Sequence, residues 1–172
     1  MNTKNRLKVA IAVLLMLGMS ASSAMAASTT GKAEASVVEQ ISIFQLTELS
    51  FGTMLQSNTG GTISLTPKGD ATSSGVQLVS GTQRAVFLVI GDFNRAYTTT
   101  LDPSVDLIGP VGATPMNATL TNDNDGVFFQ GEGVPILGID ELFIGGTLTV
   151  GRNQIPGVYS GTYNVTVDYQ DK

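Results

Sequence analysis

From Gly157 to Gln170 the chain alternates with a period of two, Tyr163, Val165, Val167 and Tyr169 on one face and Thr162, Asn164, Thr166 and Asp168 on the other. Successive side chains of a strand point to opposite faces, so this pattern predicts a β-strand with one dry and one wet side. A dry face has to be covered by a second layer, which points to a β-sandwich. The strand is therefore expected to close a layered, all-β domain.

The rest of the chain agrees. From Gly31 onward, short β-prone runs are punctuated by Gly, Asn, Asp and Pro, and no 3.6-residue amphipathic stretch of helical length interrupts them. Expected strands cover Ala33–Ile43, Leu46–Gly52, Thr62–Thr66, Gly75–Val79, Arg84–Ile90, Ala96–Leu101, Met116–Thr121, Val127–Gln130, Val134–Ile139, Leu142–Val150 and Val158–Gln170. Thr62–Thr66 places Ile63 and Leu65 inward and runs into Pro67-Lys-Gly-Asp70, a turn that predicts a hairpin. Arg84–Ile90 is continuously apolar, as a central strand buried on both faces would be. Ser104–Pro115, with its prolines and glycines, reads as irregular, and Gly145-Gly146 as a bulge or close backbone approach. Strands at spacings of about 8–12 residues with Gly-rich turns make an antiparallel sandwich or barrel the expected architecture, in a single domain.

The first 26 residues stand apart: Lys4, Arg6 and Lys8 precede the apolar run Val9–Met19 and then Ala24-Met25-Ala26, the layout of a secretory signal peptide cleaved before Ala27. The apolar run is too short to span a bilayer, so no membrane span is expected after processing. The expected organisation is a leader at 1–26, an N-terminal extension or first strand at 27–43, and a sandwich domain at 44–172. Export places the protein in the periplasm, on the cell surface or outside the cell. The formal net charge of −5 becomes more negative once the leader's cations are removed, and disfavours nucleic acid and anionic membranes as partners.

Chemistry is restricted by what is missing. Without cysteine or histidine there is no thiol chemistry and no imidazole base, so an enzyme is not expected. Gly157-Val-Tyr-Ser160-Gly has its serine one place late for a nucleophile elbow. The run Asn122-Asp-Asn-Asp-Gly126 offers Asp123 and Asp125, with Glu132 at the twelfth position counted from Thr121, as candidate calcium ligands. Thr121 stands where such a loop wants a carboxylate, which favours a plain Asx-rich turn; no cofactor is expected.

What is left concerns sheet edges. An edge strand presents unpaired N–H and C=O groups to which an extended segment can add. Ala33, Ala35, Val37, Ile41 and Ile43 share one face of the N-terminal segment, which reads equally as a donor for another copy or as the ordinary first strand of its own domain.

Three blocks carry a resemblance: Leu49-Ser-Phe-Gly52, Gly145-Gly-Thr-Leu-Thr-Val150 and Gly157-Val-Tyr-Ser-Gly-Thr-Tyr-Asn-Val-Thr-Val-Asp-Tyr169. Together they resemble an uncharacterised, cysteine-free family of secreted Gram-negative β-proteins whose domain is of unknown function. That family is similar, more distantly, to chaperone–usher pilins and to spore coat protein U. The resemblance implies an incomplete immunoglobulin-like sandwich whose missing strand comes first from a periplasmic chaperone and then, at an outer-membrane usher, from the N-terminal extension of the next subunit. It implies Ala33–Ile43 as donor and Tyr163, Val165, Val167 and Tyr169 as the border of the groove. The expected function is that of a structural, fimbrial-type subunit binding copies of itself or a related subunit. The alternative is a monomeric binding module that holds a glycan, protein or calcium ion in the loops at Ser104–Pro115 and Thr121–Glu132.

Overall fold

The structure, a computed structural model, describes residues 26–93, 95–123 and 137–170. Residues 26–36 form a unit of their own with no regular secondary structure and exposed side chains. The second unit, Val37–Lys172, is all-β, with no helix among its described residues. Its strands are β1 (Ser42–Thr47), β2 (Ser50–Met54), β3 (Gly61–Leu65), β4 (Ala71–Ser74), β5 (Leu78–Gln83), β6 (Ala85–Asp92), β7 (Tyr97–Leu101), β8 (Ser104–Leu107), β9 (Met116–Asn122), β10 (Leu137–Val150) and β11 (Val165–Tyr169).

Every strand pairing is antiparallel. The large sheet runs β1-β6-β10-β3-β4, with β9 and then β8 on the opposite edge of β10. β10 joins the two halves: its first part pairs with β6 up to Ile144↔Ala85, and its last part pairs with β3 from Gly146↔Leu65 onward. Gly145 and Gly146 sit at that changeover because there is no room for side chains. A Cβ on Gly145 would meet the carbonyl oxygen of Leu65, and one on Gly146 that of Thr119. The close-approach reading of this glycine pair holds.

Two ribbons, β7–β11 and β2–β5, cover the inner face of the curled large sheet and make the domain sandwich-like. Alternation decides what they cover. Ala85, Phe87 and Val89 of β6 and Leu142 and Ile144 of β10 meet Tyr97 and Val167 of the first ribbon. Ile63, Leu65, Met116, Ala118, Leu120, Leu148 and Val150 meet Phe51 of the second. Leu49, Leu101 and Tyr163 pack against both clusters and tie them together. Each fully buried Leu or Ile contributes about 1.5–3 kcal/mol relative to exposure. Tyr97, fully buried, keeps its hydroxyl satisfied by donating to Asp140 Oδ2 at 2.9 Å.

Several expectations need correction. Of Ala33–Ile43 only Ser42 and Ile43 lie in a strand, because β1 pairs Ser42↔Ile90 and its partner β6 ends two residues later at Asp92. The strand expected at Gly75–Val79 is replaced by β4 and β5, with Gly75 at φ +76° closing the turn against Gly60. Ser104–Pro115 is not wholly irregular: Val105 and Leu107 alternate in β8, which pairs with β9. The central strand β6 is fully buried on one face and half-buried on the other, where Val86, Leu88 and Ile90 lie. The closing strand is shorter than expected. Its register with β7 runs Val165↔Leu101 to Tyr169↔Tyr97, and beyond Asp102 the partner chain turns away into β8, with Pro103 O accepting from Leu120 N–H at 2.9 Å. Asn164 is the last residue held to that strand: its O accepts from Asp102 N–H at 3.1 Å, while the Asp102 carboxylate accepts from Asn164 N–H at 2.8 Å and from its Nδ2 at 3.0 Å. The expected strands at Val127–Gln130 and within 134–136 lie outside the described residues.

Candidate functional site

Between β2 and the stretch Gln154–Tyr163 lies a groove of about 750 Å³. Along one wall, β2 pairs through one edge with β5, and among the described residues no strand takes the other edge. Beneath lie Phe51, Val105, Met116, Leu148 and Val150, all members of the core cluster. Protein interiors are close-packed, with few voids larger than a water molecule, so a gap of this size lined by core residues is a place for an occupant.

The sequence creates the gap locally. Pro156, Gly157 and Gly161 interrupt the alternation, and Gly161 passes so close to Asp106 that a Cβ would strike its carbonyl oxygen. Buried Gln154 clamps the far wall: its Nε2 donates to Thr114 O and, at 3.0 Å, to Tyr159 Oη, whose own hydroxyl donates to Ile155 O at 2.7 Å. Gln56 Nε2 donates to Gln154 O at 2.9 Å and draws the two walls together at that end.

At the opposite end stand Glu48 and Tyr163. Glu48 is exposed and is the one charged side chain among the described residues that line the groove. The Tyr163 hydroxyl is buried and finds no hydrogen-bond partner among the described residues. Burial and, secondarily, the Glu48 carboxylate push its pKa up to about 12. The folded chain thus keeps Tyr163 neutral where the unfolded chain ionises it, which leaves stability intact below pH 10 and removes it as pH rises from 10 through 12. Chemical denaturation at pH 9 and pH 11.5 is expected to show this loss in the wild type and a smaller one in Tyr163→Phe.

Of the residues expected to serve strand addition, Tyr163 lines the groove. Val165, Val167 and Tyr169 pair with β7 and pack into the core of their own domain. Ile41 packs against the same cluster, and Ile43 pairs with Val89 of β6. Ala33 and Ala35 lie in the exposed N-terminal unit, and Val37, 98% exposed, begins the next without a strand. The free edge of β2 and the apolar bed were missed. The block Leu49-Ser-Phe-Gly52 marks that wall, but only the strand pairing shows that β5 is the one partner of β2 among the described residues. Of the calcium candidates, Asp123 caps the sheet, its Oδ1 accepting from Phe143 N–H at 2.9 Å, while Asp125 and Glu132 lie outside the described residues. No cluster of three or more metal-binding side chains occurs among the described residues.

Fold and groove together define an antiparallel β-sandwich-like domain with an open groove beside β2. The chain belongs to the family described as Domain of unknown function (DUF4402), which matches residues 41–169. No curated protein matches it, and no solved structure does.

Proposed function

We propose that this chain is an exported structural protein, a fimbrial or pilus-like subunit, that assembles by adding an extended segment of a neighbouring copy to the groove beside β2. The observation that carries this reading is the unpaired edge of β2 bordering a gap of about 750 Å³ over the core. An added strand would satisfy that edge with main-chain hydrogen bonds and fill the gap with alternate side chains. The chain has a suitable segment: residues 26–40 carry no strand, and Ala33, Ala35 and Val37 offer small apolar side chains at every second position. This segment precedes the family match, which starts at residue 41. The distant resemblance to chaperone–usher pilins and spore coat protein U drawn from the three sequence blocks implies the same reading, with a periplasmic chaperone as first occupant and an outer-membrane usher as the place of exchange. No catalysis is assigned.

Deleting Thr30–Val38 is expected to abolish oligomers that survive detergent without boiling, while the domain stays folded by circular dichroism. A mature wild-type protein that stays strictly monomeric at high concentration would overturn the reading. A second reading, a monomeric binding module, is favoured by an apolar loop tip. Ile108 bonds through its backbone to Ser160, and Pro110 lies against Gly157, which leaves Ile108, Val111 and Val158 together and largely exposed.

A further inference from the structure

The groove has two unlike ends, and the difference bears on which way an occupant lies in it. At one end Gln56 is tied to Gln154 and Asn153 N–H donates to Ser57 O at 2.7 Å, so the walls converge. At the other end stand a buried hydroxyl without a partner, Tyr163, and an exposed carboxylate, Glu48. The tyrosine can donate to a main-chain carbonyl, and the carboxylate can receive a cation. Between the ends the bed is uncharged and admits small apolar side chains.

The N-terminal segment carries these features in order. Lys32 precedes Ala33, Ala35 and Val37, and its ammonium is engaged by Glu34 at 2.8 Å with the two side chains 81% and 79% exposed. Such a pair contributes little and exchanges readily. In extended form, residues 32–37 span about 17 Å, comparable to the run from Glu48 through Thr53 of β2. The opposite orientation would put Val37 at Glu48 and carry Lys32 to the Gln56 end, away from the carboxylate.

Resting on the strand-addition reading, we propose that Glu48 and Tyr163 form a recognition point for Lys32 of a second copy and so set the direction of the incoming segment, residue 32 at Glu48 and residue 37 toward Gln56. The segment then runs parallel to β2 and antiparallel to residues 157–163.

A charge swap tests this, read as the concentration of mature protein giving half-maximal detergent-resistant oligomer. Glu48→Lys and Lys32→Glu are each expected to raise it about fivefold or more, and the double variant to return it close to wild type. Tyr163→Phe is expected to raise it while leaving the domain as stable as before or more so, since it removes a buried hydroxyl that has no partner. If the single variants assemble like wild type, or the double variant is no better than either, the recognition point is wrong. Strand addition survives that result so long as deleting residues 30–38 still abolishes the oligomer. A wild type that never oligomerises overturns both.

Discussion

Leu148→Ala is expected to destabilise the domain by about 3–4 kcal/mol, seen as a fall in melting temperature of roughly 10 °C. Leu148 is 1% exposed, its partners across the ladder are Ile63 of β3 and Ala118 of β9, and it belongs to the cluster under the groove. Truncation removes several buried carbons, and because neighbouring strands hold the backbone on both sides, the site cannot collapse to fill the space. Thr149, one residue on, points the other way and is exposed. Thr149→Ala should therefore stay within about 0.5 kcal/mol of wild type. Equal losses in the two variants would mean that the assigned faces of β10 are wrong.

Gly145→Ala should cost about 3 kcal/mol for the opposite reason, too much atom rather than too little. The added Cβ would lie against Leu65 O, 2.7 Å from Thr66 C and 2.8 Å from Pro67 N. All three are backbone atoms, so no side-chain rotation relieves the contact. The chain leaves β3 across Gly145 on its way to the Pro67 turn, and moving it would break the changeover from β6 to β3 along β10. Gly112 makes the comparison: its φ of +83° strains any side chain, but nothing lies within 4 Å of an added Cβ. Gly112→Ala should cost about 1 kcal/mol, from backbone conformation alone. Urea denaturation of the two variants separates contact from conformation.

The elements most legible in the sequence are those whose signal is local. The Thr62–Thr66 run with Pro67-Lys-Gly-Asp70 reads as a hairpin, and β3–β4 is one, closed by Thr66 N–H to Asp70 O at 2.9 Å. The apolar run at Arg84–Ile90 reads as an interior strand, and β6 lies between β1 and β10. Strand ends were less legible because they depend on the partner's length. β1 begins only near the point where β6 can pair with it, and β11 stops short of Tyr163 because its partner chain turns into β8 after Asp102. β8 was hidden by the prolines that flank it, since Val105 and Leu107 supply only two inward positions.

The candidate site was legible in one residue, Tyr163, and in the idea of an open edge; the closing strand β11 pairs only with β7 among the described residues, but the edge of β2 that borders the groove was not read. A sequence shows which strands have a dry face; it does not show which edges are left over, because that is settled by pairing between residues far apart in the chain. The sequence by itself determined the all-β class, the alternating faces of β3 and β11, and an N-terminal segment poor in anchoring side chains. Only the tertiary structure decided that the gap lies beside β2, with Glu48 and Tyr163 at one end. The physical reason is that alternation is written residue by residue, while a vacancy in a ladder exists only once every other strand has taken its partner.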